Sequence, residues 1–280
     1  VSDGTPHTIT RVPVAGREQA GMTVADAGPI FLRNGNVIIG SADGSDDNVS
    51  LTFINAEGYT SINPLIGCYT ANNSTNTAVL NPGVAYSNMS RATYGLIADV
   101  AKRTTLTVNG GVFSGNSAGA LTTETDSAQE QAALFRVRDN TSSLTVNGGI
   151  FSDNETNAGV IYTTNAAVAI NGGTFAGNKN RNGAGALLYT NRTNTDVSVS
   201  ISGNITVGEG QDIALTKGNA VNITGALTNA ITITPASNAA AGDAVATFAS
   251  GVTPDITKVT VNLAEFTAEL SGQNVVLAAV

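Results

Sequence analysis

Few residues in this chain could take part in acid–base, nucleophilic or metal chemistry. His7 is the only histidine and Cys68 the only cysteine among 280 residues. A Ser-His-Asp set needs a histidine beside the nucleophile, and a zinc site needs several nitrogen or sulfur ligands. The composition supplies neither, and it also excludes an internal disulfide. We expect Cys68 to be a small, buried apolar side chain.

Carboxylates are the other candidates, because inverting glycoside hydrolysis uses two of them about 6.5 to 9.5 Å apart. On stacked coils the two carboxylates would come from the same face of neighbouring coils. Between residues 144 and 190, Asp153 and Glu155 are the only acidic residues, and both are expected at the same corner. Basic residues of the kind that a lyase uses lack a calcium-binding acidic cluster beside them: Lys102, Arg103, Arg136 and Arg138. The sequence therefore predicts no enzyme, no catalytic residue and no cofactor.

One loop carries enough oxygen ligands to suggest calcium. Residues 43–47 read Asp-Gly-Ser-Asp-Asp, and Ca²⁺ prefers clustered carboxylate and carbonyl oxygens. The segment lacks the regular spacing and the closing glutamate of an EF-hand. A solvated turn is therefore the favoured interpretation and calcium the alternative, and we predict no metal ligand.

A tandem repeat is the strongest signal in the sequence. The pattern apolar-x-apolar-Asn-Gly-Gly-x-Phe-x-x-Asn occurs at residues 106–116, 144–154 and 168–178. Recurrence at about 20 to 30 residues is typical of stacked-coil proteins. The interval from Phe113 to Phe151 is 38 residues and that from Phe151 to Phe175 is 24. We interpret the extra residues, near 121–134, as an insertion with a short helix rather than as an additional irregular coil.

Each position of the repeat has a physical role in a parallel β-helix. The alternating apolar residues predict a short strand with one inward face, and Asn-Gly-Gly predicts a turn because glycine reaches positive φ without a steric penalty. Matching positions of neighbouring coils lie about 4.8 Å apart, so we expect the phenylalanines to stack inside and the last asparagines to form a ladder at one corner. The predicted structural residues are Phe113, Phe151, Phe175, Asn116, Asn154, Asn178, Gly110, Gly111, Gly148, Gly149, Gly172 and Gly173.

The Gly-Gly-x-Phe-x-x-Asn pattern resembles the repeats of chlamydial polymorphic outer-membrane proteins and of β-helical surface adhesins of Gram-positive bacteria. The resemblance covers residues 106–178, with a degenerate copy at 201–206, and the tail from 221 to 280 is similar to the tails of such surface proteins. It implies an all-β, right-handed parallel β-helix with terminal caps. Members of these families include adhesins and passenger domains, so the resemblance predicts fold more specifically than function.

The sequence divides into three regions. Residues 1–28 contain two prolines and no repeat, which predicts an N-terminal cap or an exchanged strand. Residues 29–220 predict a parallel β-helix with loop insertions, and residues 221–280 a C-terminal β region whose segment 265–277 forms a capping hairpin. A second repeated segment, Ala-Gly with apolar residues and Tyr, occurs at 158–162 and 184–189, and we place its earlier copy at 118–121.

The composition restricts the partners. A net charge of −8 and a pI near 4.5 argue against nucleic acid, which requires a basic surface. No run of 18 apolar residues is present, so we predict no membrane insertion. The start at Val1, without a basic and apolar leader, predicts a processed, exported product.

These observations predict a non-enzymatic, extracellular protein of a bacterial cell surface, structural or adhesive, with a host or matrix protein or a glycan as partner. Both ends are apolar and strand-like, at residues 9–14 and 275–280. Such ends predict head-to-tail self-association into a filament, because a heterologous contact that does not close builds an open fibre. The alternative is a polysaccharide-binding or polysaccharide-degrading protein on the same scaffold.

Overall fold

Short strands separated by tight turns make up nearly all of the regular structure. The structure is a computed structural model and describes residues 7–11, 30–33, 35–41, 51–55, 63–68, 75–91, 93–119, 130–190 and 197–280. In chain order, its strands are β1 (His7–Arg11), β2 (Ile30–Leu32), β3 (Asn36–Ile39), β4 (Leu51–Asn55), β5 (Ile66–Cys68), β6 (Asn76–Leu80), β7 (Val84–Ser87), β8 (Ser90–Arg91), β9 (Gly95–Val100), β10 (Thr104–Val108), β11 (Val112–Ser114), β12 (Ser117–Ala118), β13 (Ala133–Val137), β14 (Ser143–Val146), β15 (Ile150–Ser152), β16 (Glu155–Thr156), β17 (Ile161–Thr163), β18 (Ala167–Ala176), β19 (Lys179–Asn180), β20 (Leu188–Thr190), β21 (Val199–Val207), β22 (Ile213–Ala214), β23 (Val221–Leu227), β24 (Ile231–Thr234), β25 (Ala244–Phe248), β26 (Val259–Val261), β27 (Phe266–Ser271) and β28 (Asn274–Ala279). A 3₁₀ turn covers Ile256–Lys258.

The strands form three walls and a corner sheet that run along one axis. The first wall contains β3, β6, β10, β14 and the first half of β18, and the second contains β4, β7, β11, β15 and the second half of β18. The corner sheet has the order β8-β12-β16-β19, and the third wall the order β2-β5-β9-β13-β17-β20-β22-β24-β26. Because β18 is continuous through both of the first two walls, these walls belong to one sheet.

A coil visits the first wall, the second wall, the corner sheet and the third wall in turn, as β14 to β17 do. The next coil pairs with it in parallel and in register: Leu144 lies beside Val168, Phe151 beside Phe175, and Ile161 beside Leu188. Apolar side chains alternate inward along each strand and meet in one continuous core. The predicted fold class, an all-β parallel β-helix, is confirmed.

The long interval in the repeat is an insertion and not an extra coil. Phe113 of β11 pairs directly with Phe151 of β15, so no strand lies between them. The additional residues fall between β12 in the corner sheet and β13 in the third wall. The helix expected near 121–134 falls mainly on residues 120–129, which lie outside the described residues.

The predicted early copy of the Ala-Gly segment was wrong. Ala118 pairs with Thr156 in the corner sheet, two residues before Ala158. The strand beside β17 is instead β13, where Phe135 pairs with Ile161. In this coil the insertion separates β12 of the corner sheet from β13 of the third wall. The residues that directly follow β12 therefore do not form the third-wall strand.

Parallel coils continue beyond residue 220. Strand β23 pairs in parallel with β21 and β25, and β24 pairs in parallel with β22 and β26. The last two strands, β27 and β28, form an antiparallel hairpin, and β28 also pairs antiparallel with β25. At the other end, β1 pairs in parallel with β4 of its own chain. Along the second wall, the outermost described strands of the large sheet are therefore β1 and β27, and β3 is the outermost described strand of the first wall.

Candidate functional site

The structure places the three predicted phenylalanines in one buried row inside the second wall. The ring centroids of Phe113 and Phe151 are 4.8 Å apart and those of Phe151 and Phe175 are 4.6 Å apart, with the rings nearly parallel. All three side chains are fully buried. The row also contains two residues that sequence reasoning missed, since Tyr86 stacks on Phe113 at 4.7 Å and Phe53 on Tyr86 at 5.3 Å.

Tyr86 could have been found from its spacing. It precedes Phe113 by 27 residues, close to the 24 between Phe151 and Phe175, and a serine follows it as one follows Phe113 and Phe151. Its ring is fully buried, its hydroxyl has no hydrogen-bond partner among the described residues, and burial raises the pKa of Tyr86 well above its usual range.

The last asparagine of each repeat belongs to a buried ladder, which we call the inner ladder (Asn116, Asn154 and Asn178). Asn154 Oδ1 accepts hydrogen bonds from Asn116 Nδ2 at 2.9 Å and from the Asn116 backbone N–H at 3.1 Å. Asn178 Oδ1 accepts the same pair from Asn154, at 2.8 and 3.2 Å. Each Nδ2 also donates to a backbone carbonyl of the preceding coil at 2.9 Å. Every amide group of this corner is thereby paired, as burial requires.

A backbone group closes one end of the inner ladder and a side chain closes the other. At one end, the backbone N–H of Met89 donates to Asn116 Oδ1 at 3.0 Å. At the other, Asn178 Nδ2 donates to Gln211 Oε1 at 2.8 Å, and Gln211 Nε2 returns a hydrogen bond to the Asn178 carbonyl at 2.9 Å. Gln211 is buried as the asparagines are, and its different spacing from the repeat concealed it from sequence reasoning.

The asparagine of Asn-Gly-Gly forms a second, outer ladder that the sequence analysis did not anticipate (Asn109, Asn147 and Asn171). These three side chains are exposed, and each donates from Nδ2 to Oδ1 of the asparagine in the preceding coil. The distances are 2.9 Å to Asn81, 3.0 Å to Asn109 and 3.0 Å to Asn147. Ser202 continues the ladder with a 2.9 Å hydrogen bond to Asn171.

The two glycines of each repeat serve different purposes. A β-carbon on the first glycine would lie within 2.8 Å of an atom of the preceding coil: Gly110, Gly148 and Gly172. The second glycine has a φ between +108° and +115°, which side chains rarely adopt: Gly111, Gly149 and Gly173. Glycine is therefore required at the first position because a β-carbon does not fit there, and at the second position because of its backbone conformation.

Cys68 lies in the third wall and is buried, at 6 % exposure. Burial raises the pKa of its thiol to about 11. The thiolate is the nucleophilic form, so this side chain is unreactive at neutral pH.

A groove of about 590 Å³ lies on the outer side of the third wall. Its lining is mostly amide, hydroxyl and small side chains, and we call it the amide groove: Glu130, Asn157, Asn180, Asn182, Ala184, Tyr189, Ala214, Leu215, Thr216, Thr234, Pro235, Ala236 and Ser237. Tyr189 is half-buried there and stacks on Tyr162, with ring centroids 6.1 Å apart. Hydrogen-bonding side chains around a partly exposed aromatic ring can bind a neutral sugar.

A carboxylate lines the groove, and a buried one lies in the depression beside it. Glu130 is the one carboxylate among the described residues that line the groove. Asp212, in the adjacent depression, is buried and accepts hydrogen bonds from the Gly185 and Ala186 N–H groups at 2.7 and 2.9 Å and from Thr234 Oγ1 at 2.5 Å. It therefore fixes a turn of the chain.

Glu155 forms an ion pair with Arg181 at 3.0 Å. The described part of the chain contains no group of three or more His, Cys, Asp or Glu side chains placed to hold a metal ion. The candidate calcium loop at residues 43–47 lies outside that part.

No family model, no curated protein and no solved structure matches this chain. Within the described residues, no helix has the length and apolar character needed to cross a membrane.

Proposed function

We propose that this chain is a non-enzymatic protein of an extracellular bacterial surface, with a structural or adhesive role. The observation that carries the proposal is that all twelve predicted repeat residues take part in core packing, ladders or turns. The most regular part of the sequence is thus explained by the stability of the coils alone. The location at a bacterial surface rests on the resemblance of the repeat motif.

Two features suit such a role. Each stacked coil contacts its neighbours, so stability is distributed along the stack of coils. A long stack can hold a binding surface at a distance from the point where the protein is attached. The hydrogen-bonded ladders connect successive coils by side chains as well as by backbone. Neither feature requires a catalytic group.

A screen for turnover tests the non-enzymatic assignment. We expect no release of reducing sugar or unsaturated product from polyuronates or from plant and host glycans. Turnover that Glu130→Gln abolishes would contradict the proposal, because Glu130 is the carboxylate of the amide groove. Asp243→Asn, at an exposed pair with Lys217 elsewhere on the chain, is the matched control.

Polysaccharide binding is the second candidate, and the amide groove favours it. We expect a neutral polysaccharide from a glycan array to bind in this groove and Tyr189→Ala to weaken binding, because loss of the ring removes a stacking surface. Tyr162→Phe, beneath Tyr189, keeps the ring and serves as the control. Equal binding by Tyr189→Ala and the unchanged chain would exclude the groove as the site.

Head-to-tail assembly into a filament remains part of the proposal. Strands β1 and β27 lie at opposite ends of the large sheet, and no further strand among the described residues pairs with the outer edge of either. We expect the intact chain to form concentration-dependent oligomers and a variant lacking residues 1–14 to be monomeric, as measured by light scattering. A monomeric intact chain at high concentration would exclude assembly.

A further inference from the structure

A second cavity, of about 340 Å³, lies on the same outer side of the third wall, several coils before the amide groove. Strand pairing places the residues of its floor side by side, since Gly67, Asp99 and Arg136 occupy matching positions of β5, β9 and β13. The inward neighbours of these residues belong to the core, so their own side chains face outward. The volume is at the lower end of the range for ligand sites, which suits a small ligand.

The cavity is strongly basic although the chain as a whole is acidic. Among the described residues that line it, four carry positive charge and one carries negative charge: Arg91, Lys102, Arg136, Arg138 and Asp99. Counting these gives +4 and −1, or +3, against −8 for the whole chain. A concave surface lined by one sign of charge concentrates ligands of the opposite sign.

Asp99 orients two of the guanidinium groups. Arg136 Nη1 donates to both Asp99 oxygens, at 3.3 and 3.2 Å, and Arg138 Nε donates to Oδ1 at 3.2 Å. The rest of Arg136 is held by Gln131 Oε1, at 3.1 Å from Nε and 2.6 Å from Nη2. Arg138 is used only through Nε, and its two terminal nitrogens make no hydrogen bond to the described residues. Its planar fork is therefore positioned and available to a ligand.

The rim of the cavity is built from two residues in an uncommon backbone conformation. Tyr94 has a φ of +58° and Lys102 a φ of +53°. The Tyr94 ring lies 4.1 Å from Arg136 Cζ, and the Lys102 N–H donates to Asp139 Oδ2 at 2.6 Å. Positive φ outside glycine is concentrated at ligand-binding positions in proteins. Burial lowers the pKa of Arg136, and an anion beside it would offset that effect.

We propose that this cavity, which we call the Arg138 pocket, binds the oxyanion of a small ligand, with the terminal nitrogens of Arg138 as the main donors. A guanidinium fork matches the two oxygens of a carboxylate or a sulfate, and Lys102 adds a point charge at the rim. Asp99 positions both arginines and does not itself contact the ligand. The inference does not depend on the proposed function, because a structural surface protein with or without glycan binding could carry this pocket.

Isothermal titration calorimetry on the full chain at low ionic strength tests the proposal. The probes are glucuronate and sulfate, and glucose is the neutral counterpart of glucuronate. We expect both oxyanions to bind at the Arg138 pocket and glucose not to bind. Binding of glucuronate tighter than that of sulfate would identify an acidic sugar as the ligand class. Equal affinity for glucuronate and sulfate would identify an inorganic oxyanion.

Three variants locate the binding. Arg138→Gln should weaken oxyanion binding by about tenfold or more, because it removes a charge-assisted pair of hydrogen bonds. Lys102→Asn removes a charge but tolerates positive φ, so it should weaken binding without disturbing the turn. Lys217→Gln neutralises an exposed amine paired at 3.6 Å with Asp243, outside the pocket, and should leave binding unchanged.

The outcomes separate the alternatives. No binding of either oxyanion at millimolar concentration would show that the cluster only stabilises the fold, and would overturn the proposal. Equal binding of glucose, or equal weakening by Lys217→Gln, would also overturn it, since neither result requires this cavity. If Arg138→Gln lowers the melting temperature strongly, Lys102→Asn decides the question alone.

Discussion

The inner and outer ladders use the same side chain at two corners of the same coils, but in different surroundings. Asn154 is 1 % exposed, and its amide is enclosed by the corner. Asn147, seven residues earlier, is exposed and makes hydrogen bonds of similar length. Water can replace a lost partner at the outer ladder but not at the inner one. Hydrogen bonds of similar length therefore contribute more to stability at the buried corner than at the exposed one.

The same contrast extends to the two faces of each strand. In β15, Phe151 faces the core and is fully buried, while Ile150 faces outward and is 48 % exposed. Both are large apolar side chains on adjacent residues of one strand. Their packing, and not their hydrophobicity, distinguishes them.

The largest expected effect comes from removing the centre of the aromatic row. Phe151→Ala should reduce the free energy of unfolding by about 3–5 kcal/mol, because it leaves a cavity between Phe113 and Phe175. Urea denaturation measures the change. Ile150→Ala on the outward face is the control and should cost far less. Similar losses for both variants would show that the row is not tightly packed.

Next in size is the loss of an inner-ladder side chain. Asn154→Ala leaves the Asn116 N–H and Nδ2 donors without their buried acceptor, and should cost about 2 kcal/mol or more, at about 1–3 kcal/mol for each unpaired donor. Asn147→Ala in the outer ladder of the same coil should cost about 1 kcal/mol or less. Equal destabilisation of the two variants in urea would break the comparison.

A smaller loss is expected at the turn between the two ladders. Gly149 has a φ of +115°, so Gly149→Ala should cost about 1–3 kcal/mol through backbone strain. Gly35→Ala is the control, because a β-carbon there would meet no atom of the described residues within 4 Å. Thermal unfolding of both variants tests this. A neutral Gly149→Ala would mean that the turn can relax.

The smallest effect has the opposite sign. Tyr86 places a hydroxyl without a partner among the described residues inside the aromatic row. Tyr86→Phe removes this buried polar atom and keeps the stacking, so it should stabilise the chain by up to about 1 kcal/mol. Destabilisation on measurement in urea would reveal a hydrogen bond to the hydroxyl.

Spacing in the sequence located part of these features and missed others for identifiable reasons. Identical intervals from Phe to Asn put Phe151 and Asn154 on matching sites of their coils, so the aromatic row and the inner ladder both followed from the repeat. The outer ladder was missed because the asparagine of Asn-Gly-Gly was assigned to the turn alone. Phe53 and Tyr86 were missed because their coils do not carry the full motif.

The sequence by itself determined the period of the coils, the inward face of each strand and the positions of the tight turns. These are local properties, because alternation and glycine conformation act within a few residues. The tertiary structure decided which residues become neighbours across coils. Asp99 and Arg136 are 37 residues apart and meet because β9 and β13 pair in parallel with these two residues opposite each other, despite the insertion between them. Insertions of unequal length alter the spacing in sequence but not the register in space, so the Arg138 pocket could be seen only in the folded chain.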